Sequence, residues 1–304
     1  MRMKHLQRWV ACGLVMLFGA VAQTDFPLPT GFIVPVPGAH FSTQARQLPG
    51  APRPYRNGVH QGFDFYNGFV GVPVHYGDPV VAVALGTVIR LDRQHVEMTR
   101  EQWLALASAQ QALPTTSPQA LDAFRGRQVW LDHGKGVVSR YAHLSGVADG
   151  LSVGDQVTAG TVVGFIGNSG TLDGANGTKL GAHLHFELWL GEHYLGQDLS
   201  PEQTLALVAQ VFTGPAPEPM PAVAVSAEPE PGLAVQVAAF QEAARAQALA
   251  DRLRQAGLDS YLYQPAGSSL TRVRIRVSSR SQADEVLARL ASEFNLKGLI
   301  IQNP

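Results

Sequence analysis

The chain has 304 residues, of which 45% are hydrophobic and 15% are charged, and its formal net charge at pH 7 is −1. This composition is that of a globular protein, and the length suggests about two domains. The near-neutral balance gives no reason to expect nucleic acid as a partner, because domains that bind nucleic acid usually carry a strong excess of lysine and arginine.

The first 22 residues are typical of a secretory signal peptide. A basic start precedes an apolar run over residues 9–18, and a small-x-small pattern at 20–22 is typical of a cleavage site. The run is shorter than the roughly 20 residues that span a bilayer, which favours cleavage over retention as an anchor. The single cysteine, Cys12, lies in this segment, so we expect no disulfide in the mature chain. We therefore predict an exported protein of the periplasm or cell envelope, with no stable membrane span after cleavage.

Residues 23–212 are predicted to form a mainly β domain. Short valine-rich runs, such as 87–91 and 137–142, alternate with turns that contain glycine. Many short strands in succession indicate an antiparallel sheet or sandwich with a groove. One segment has helical rather than strand patterns. Thr99 and Gln102 have the spacing of a capping box, and Pro118 stands at the first position of a second short helix. We predict a helical hairpin at about 94–125, inserted between two strands as either a lid or a surface excursion.

A proline-rich segment separates this domain from a second one. Residues 213–231 contain six prolines and no basic residue, the composition of an extended, semi-rigid spacer. Residues 232–304 then alternate strand patterns with two helical stripes, at about 246–253 and 283–290. The resulting order, β-α-β-β-α-β, predicts a small ferredoxin-like α+β domain in which a sheet packs against two helices.

Histidines and carboxylates cluster at two places in the first domain. His60 and Asp64 would lie about 13 Å apart on a straight strand, but Gly62 between them tolerates a bend. His183 and His185 share one face of a strand, with their Cα atoms about 7 Å apart. Imidazole and carboxylate are the groups that hold a catalytic Zn²⁺ when three protein ligands leave one position open for water. The two stretches therefore predict the halves of one zinc site for a hydrolytic reaction.

Three motifs of this domain resemble those of the lysostaphin-type, LytM-like zinc metallopeptidases, which cut peptidoglycan peptides. The motifs are HQGFD at 60–64, YAHL at 141–144 and GAHLHFE at 181–187. The resemblance implies that His60, Asp64 and His185 are zinc ligands and that His143 and His183 are the catalytic pair. It leaves open which of these two histidines accepts a proton and which stabilises the oxyanion or protonates the leaving group.

Four further residues are candidates for supporting roles. Glu187 lies on the same strand as the two histidines, and one role open to it is to orient a ligand imidazole. Arg46, Arg53 and Arg56 precede the first motif. They either line the substrate groove, facing carboxylates of the peptide stems, or belong to the solvated surface.

The C-terminal unit resembles a SPOR domain, from VQVAAF at 235–240 to RVRIRV at 272–277. That family binds glycan strands from which the peptides have been removed. On this resemblance we predict that Gln236, Phe240, Arg274 and Arg276 face the sugar. Arginine is a good donor to carboxylates, and an aromatic ring can lie against a sugar face.

Together these features predict an exported zinc endopeptidase that hydrolyses peptide bonds in peptidoglycan cross-links and is held on glycan strands by its C-terminal domain. Relatives that lack metal ligands provide a first alternative, a non-catalytic activator of cell-wall amidases. A second alternative is a wall-binding scaffold at the septum. All five expected positions of the three motifs are filled, which favours the enzyme; the sequence identifies no regulatory protein partner.

Overall fold

The computed structural model describes residues 28–215, 224–228 and 230–303. The predicted signal peptide lies outside the described residues, as does part of the predicted spacer. Within the described ranges, every helix is too short or too polar to span a bilayer.

The first domain is built from short antiparallel strands, which confirms the mainly β prediction. Its strands are β1 (Pro52–Arg53), β2 (Gly58–Val59), β3 (Phe63–Tyr66), β4 (Pro79–Val81), β5 (Gly86–Leu91), β6 (Val129–Asp132), β7 (Val137–Ala142), β8 (Gly146–Val147), β9 (Gln156–Val157), β10 (Val162–Phe165), β11 (His183–Leu190) and β12 (His193–Tyr194). The larger sheet has the strand order β12-β11-β7-β6-β5-β9. Strand β3 also pairs with β11 but is not part of this linear order. A smaller sheet has the order β4-β10-β8, while β1 pairs with β2.

Strand β11 lies at the centre of the domain, because β7 pairs along its length and β3 pairs with its first half. Its residues are buried with one exception, Trp189, which is partly exposed. Aromatic rings from three strands fill the core beside it, including Phe63, Phe65 and Phe186. A strand enclosed in this way is a rigid support for side chains that must hold a fixed position.

The helices of the first domain are α1 (Arg100–Gln111), α2 (Pro118–Arg125), α3 (Leu172–Ala175) and α4 (Pro201–Val211). The two predicted helices between β5 and β6 are confirmed as α1 and α2. Thr99 and Gln102 form the expected capping box, and Ser117 caps α2. Trp103 and Phe124 pack in a small core of their own, against Leu172 and other apolar residues. This core packs α1 and α2 against each other and against α3.

The second domain consists of β13 (Val225–Ser226), β14 (Gly232–Phe240), α5 (Ala243–Gln255), β15 (Ser260–Tyr263), β16 (Thr271–Arg276), α6 (Arg280–Phe294) and β17 (Leu299–Asn303). The predicted β-α-β-β-α-β order is confirmed from β14 to β17. The strands are ordered β13-β15-β16-β14-β17, and β13 adds to the sheet edge in parallel with β15. The apolar stripes of α5 and α6 cover one sheet face. The opposite face, here called the open sheet face because α5 and α6 do not cover it, carries polar side chains such as Gln236 and Arg276, although Tyr261 and Arg274 on it are buried.

The two domains meet through α5. Arg245 contacts Asp149 with Nη2 and Oδ2 2.9 Å apart, and Arg252 contacts Asp155 at the same N–O distance. The guanidinium group of Arg245 also lies 5.9 Å from the centre of the Phe165 ring. These contacts use the helical side of the second domain, so its open sheet face is not part of the contact.

Candidate metal centre

The pairing of β3 with β11 brings the two predicted halves of the site together. Asp64 lies directly opposite His185 in the antiparallel register. His60 precedes β3, where its backbone N–H donates to the carbonyl of Ala51, 2.8 Å away. Gly62 makes the intervening bend possible, because a Cβ at this position would lie 2.3 Å from the carbonyl oxygen of Phe186.

Three potential ligand atoms meet at this point. His60 Nε2, Asp64 Oδ1 and His185 Nδ1 each lie 2.9 Å from the other two. A tetrahedral zinc ion with bonds of about 2.0–2.1 Å places its ligand atoms roughly 3.3 Å apart, close to the observed spacing. All three side chains are buried and form a group that could hold a metal ion.

Each of the two histidines has an inner ring nitrogen, which faces the cluster, and an outer one, which faces away from it. The hydrogen bonds of the outer nitrogens determine whether the inner nitrogens carry a proton. His60 Nδ1 lies 2.9 Å from the carbonyl oxygen of Leu48, and His185 Nε2 lies 2.9 Å from Oε1 of Glu187. Both oxygens can only accept, so both outer nitrogens carry the proton. In the neutral rings the inner nitrogens then present lone pairs to each other and to the carboxylate. Such a donor set fits a cation at the centre.

The electrostatic environment of these residues also favours a cation. Burial lowers the pKa of His60 to about 4, which keeps its ring neutral. Burial alone would raise the pKa of Asp64, but His60 and His185 hold it well below its ordinary value. Burial alone would lower the pKa of His185, whereas hydrogen bonds to Asp64 and Glu187 raise it. The two carboxylates that raise the pKa of His185 thus supply the negative charge that favours a cation among the three inner atoms.

His143 and His183 lie beside the cluster, with their ring centres 4.8 Å apart. His143 Nδ1 donates to the carbonyl of Ser169 and His183 Nδ1 to that of Gly181, both at 2.8 Å. Nε2 is therefore the free acceptor of each neutral ring, and in His183 it lies 3.7 Å from Asp64 Oδ1. Burial is the main cause that lowers the pKa of both histidines. Their neutral forms are thus favoured at pH 7.

Two local features fix these two rings. The ring of Tyr66 stacks on that of His183, with centres 3.9 Å apart and an angle of 14° between the planes. His143 has a φ of +59°, which is uncommon for a residue other than glycine, and its backbone N–H donates to the carbonyl of Arg125. A strained backbone of this kind persists where surrounding contacts enforce it. Neither feature can be recognised from the motifs alone.

Glu187 joins the metal cluster to the inserted helices. Its carboxylate accepts from Arg125 Nε at 2.7 Å and from His185 Nε2 at 2.9 Å, and Arg140 lies 3.6 Å away. The nearby positive charge, that of Arg125 above all, lowers the pKa of Glu187 although burial alone would raise it. The predicted contact between Glu187 and a ligand imidazole is present. Arg125 was not predicted, because a lone arginine at a helix end has no distinctive sequence pattern.

A cleft of about 620 Å³ opens over the cluster. Its lining includes the five motif residues, and the insert contributes Trp103, Leu121, Phe124 and Arg125. The rings of Tyr55 and Trp103 stack in this wall, with centres 5.4 Å apart. The insert therefore forms part of the cleft wall, and its interpretation as a mere surface excursion is wrong.

The open sheet face of the second domain carries three of the four residues predicted to face sugar. Arg274 is buried and donates to Gln236 Oε1 and Asn303 Oδ1, whereas Arg276 is exposed further along β16 on the same side. The prediction for Phe240 is wrong. A bulge between Gln236 and Ala238 shifts the alternation of β14, so Phe240 turns into the core beneath the helices.

Comparisons with known proteins assign both domains. The model of peptidase family M23 matches residues 58–197, and the model of the SPOR domain matches residues 229–302. A search of curated proteins found no match.

Solved structures similar to the chain include three peptidases. A zinc-containing peptidase from Vibrio cholerae is 19% identical with a TM-score of 0.33, over 58% of this chain and 41% of that one. The catalytic domain of lysostaphin from Staphylococcus simulans is 20% identical with a TM-score of 0.29, over 59% and 86%. A putative peptidase M23 from Pseudomonas aeruginosa is 23% identical with a TM-score of 0.30, over 60% and 56%. The chain thus spans less than two thirds of the first and third of these. By its family models, the first domain belongs to peptidase family M23 and the second is a SPOR domain.

Proposed function

We propose that the protein is an exported zinc metalloendopeptidase that hydrolyses peptide bonds in peptidoglycan cross-links. The observation that best supports this function is the convergence of three acceptor atoms, from His60, Asp64 and His185, at mutual distances of 2.9 Å. Membership of peptidase family M23 agrees with it. The outer nitrogens of both imidazoles already donate elsewhere, so the inner atoms are oriented for a metal before it binds.

His60, Asp64 and His185 would hold the zinc ion. Bound Zn²⁺ supplies a Lewis acid that polarises a carbonyl and makes a water molecule more acidic. The neutral imidazoles of His143 and His183 each have Nε2 available as an acceptor. One can take a proton from the attacking water, and the imidazolium so formed can pass this proton to the leaving amine. The other, after it has taken up a proton from solvent, can donate to the oxyanion.

The surroundings hold these groups in place for the reaction. Tyr66 restrains the ring of His183, and the carbonyl of Ser169 restrains that of His143. Restraint of this kind lowers the entropic cost of bringing acid, base and substrate together. The cleft wall of aromatic side chains would exclude part of the water from a bound peptide, which strengthens electrostatic interactions inside.

The second domain is proposed to hold the enzyme on glycan strands through its open sheet face. Gln236, Arg274 and Arg276 lie on that face, and the ring of Tyr263 lies 4.3 Å from the guanidinium group of Arg274. The strand order and the helices on one side support a ferredoxin-like arrangement. We further propose that residues 1–22 are removed on export and that residues 213–231 act as the spacer, with domains at 23–212 and 232–304.

Digestion of purified sacculi tests this function. Mass spectrometry of the soluble products should show fragments with cleaved cross-links after treatment with the wild-type protein and zinc. The variant His183→Ala should release none, whereas the control variant His193→Ala, which changes an exposed histidine, should match the wild type. Equal release by the wild type and by His183→Ala would contradict the proposal. A wild type that releases nothing alone but stimulates an amidase would favour the non-catalytic alternative.

A further inference from the structure

The cleft beside the metal centre is rich in arginine, and its positive charge is only partly balanced. Its lining contains two carboxylates, and each already pairs with an arginine. Arg53 Nη2 lies 3.0 Å from Asp64 Oδ2, and Arg125 Nε lies 2.7 Å from Glu187 Oε1.

Two further arginines line the same cleft, Arg46 and Arg56. In the part of the chain that the structure describes, neither forms an ion pair with a carboxylate. Arg56 donates to neutral partners, Thr116 Oγ1 at 2.8 Å and the carbonyl of Val59 at 2.7 Å. The cleft thus carries two positive charges that its own acidic groups do not balance.

The burial of Arg56 makes an unpaired charge at this position unfavourable. The residue is 6% exposed, and burial lowers its pKa. Buried charges in proteins are normally paired, because a charge that loses water without gaining a counter-charge is destabilising. A bound anion would offset that cost.

Arg53 connects these charges to the metal centre. Its Nη1 donates to the carbonyl of Arg46 at 3.2 Å, while its Nη2 contacts the outer oxygen of Asp64. The arginine wall, defined as Arg46, Arg53 and Arg56, therefore begins at a proposed metal ligand and extends along the cleft. Two short 3-10 turns, Ala45–Gln47 and Pro54–Arg56, carry its two ends.

The rest of the cleft indicates what kind of anion fits. The guanidinium fork matches a carboxylate, which can accept two parallel hydrogen bonds. The apolar rings of Tyr55, Trp103 and Phe124 complete the lining and suit the aliphatic parts of a peptide. A peptide with a carboxylate near its scissile bond could pair with the arginines and also pack against the aromatic rings.

We propose that the arginine wall binds a carboxylate that the substrate carries within about one residue of the scissile bond, so that the cleft selects acidic peptides. The inference rests on the proposed function, since it concerns the substrate of that site. It assigns Arg46, Arg53 and Arg56 to substrate selection.

Binding measurements separate this inference from the proposed function. Cross-linked peptide fragments released from sacculi would be used with free carboxyl groups and after conversion of those groups to amides. Calorimetric titration into the zinc-loaded His183→Ala chain avoids turnover during the measurement. We expect amidation to weaken binding at least tenfold.

The variant Arg46→Glu tests the wall itself, and because Arg46 is exposed the substitution should not disturb folding. In the His183→Ala background, Arg46→Glu should reduce the preference for the acidic fragment about tenfold. The control variant Arg100→Ala, which removes an exposed arginine at the start of α1, should leave the preference unchanged.

Each outcome decides between the two proposals. Equal binding of acidic and amidated fragments, no binding of the acidic fragment, or an unchanged preference in Arg46→Glu would overturn the carboxylate site. Cleavage is measured separately with the otherwise unchanged chain. A clear preference for the acidic fragment without cleavage of either form would overturn the endopeptidase proposal and leave the carboxylate site supported.

Discussion

Arg125 in the first domain and Arg276 in the second both pair with a glutamate, but in opposite surroundings. The side chains of Arg125 and Glu187 are 10% and 1% exposed, whereas those of Arg276 and Glu230 are 42% and 40% exposed. Arg276 also contacts Asp259, whose side chain is 66% exposed. Removing one partner of a buried pair costs about 3–5 kcal/mol, while an exposed pair contributes roughly 0.2–1 kcal/mol.

This difference indicates what each region is built to do. Around the candidate metal centre, the buried pair of Arg125 and Glu187 holds the imidazole of His185 in one orientation, and removal of either partner would be strongly destabilising. On the open sheet face, water screens the pairs, so an incoming anion can replace Glu230 beside Arg276 at small cost. The first arrangement suits a reaction that needs fixed geometry, and the second suits reversible binding to a polymer.

Removal of the metal should have the largest effect. A chelator should abolish cleavage of sacculi, and zinc should restore it. If zinc is present at about 1,000 times its dissociation constant, its loss lowers the free energy of unfolding by about 4 kcal/mol. Calorimetry should show this change in the unfolding of the first domain only. An equal loss of unfolding free energy in the SPOR domain would contradict the difference that we draw between the two regions.

Arg125→Ala should have the next largest effect, because it leaves the buried carboxylate of Glu187 without its closest positive partner. We expect the free energy of unfolding in urea to fall by about 3–5 kcal/mol. The free energy of unfolding of Arg125→Lys should lie between those of Arg125→Ala and the wild type. Lysine keeps the charge but cannot reproduce the two parallel hydrogen bonds that Arg125 Nε and Nη2 donate to the Glu187 carboxylate. Arg100→Ala serves as the control, with an exposed arginine in the same insert. A loss below about 1 kcal/mol in Arg125→Ala would mean that the pair is not a fixed support.

Arg276→Ala should have the smallest effect on stability, within about 1 kcal/mol. Its contact lowers the pKa of Glu230, so the contribution is present above the ordinary pKa of 4.5 and is lost as the pH falls below it. The variant should nevertheless bind amidase-treated sacculi more weakly than the wild type.

Arg289→Ala provides the matched control for Arg276→Ala. Arg289 pairs with Glu293 at a similar exposure, but it lies on α6, away from the open sheet face. It should therefore change stability by a similarly small amount but leave binding to amidase-treated sacculi unchanged. Equal binding by Arg276→Ala and Arg289→Ala would show that Arg276 on the open sheet face takes no part in glycan recognition.

Local patterns were sufficient to predict much of the architecture. The helices α1 and α2 could be predicted because their capping residues lie within three positions of the helix starts. The convergence of His60, Asp64 and His185 could be predicted because the three residues stand in short motifs. Gly62 permits a bend, so the distance of about 13 Å expected on a straight strand does not apply. Each of these signals depends on neighbours along the chain.

Features that depend on distant contacts were not predictable in the same way. The bulge in β14 turns Phe240 into the core, and it follows from how β14 pairs with β16 rather than from the alternation of its own residues. The role of Arg125 depends on Glu187, 62 positions away. Arg56 is buried against Thr116, which comes from the loop between α1 and α2. Such partners become evident only once the strands and the insert are in place.

The zinc content of the purified protein tests the central claim most directly. After incubation with zinc and dialysis, the wild type and the control variant His193→Ala should each retain one equivalent by elemental mass spectrometry, and His185→Ala should retain none. A wild type without zinc, or a His185→Ala variant that keeps a full equivalent, would contradict the account.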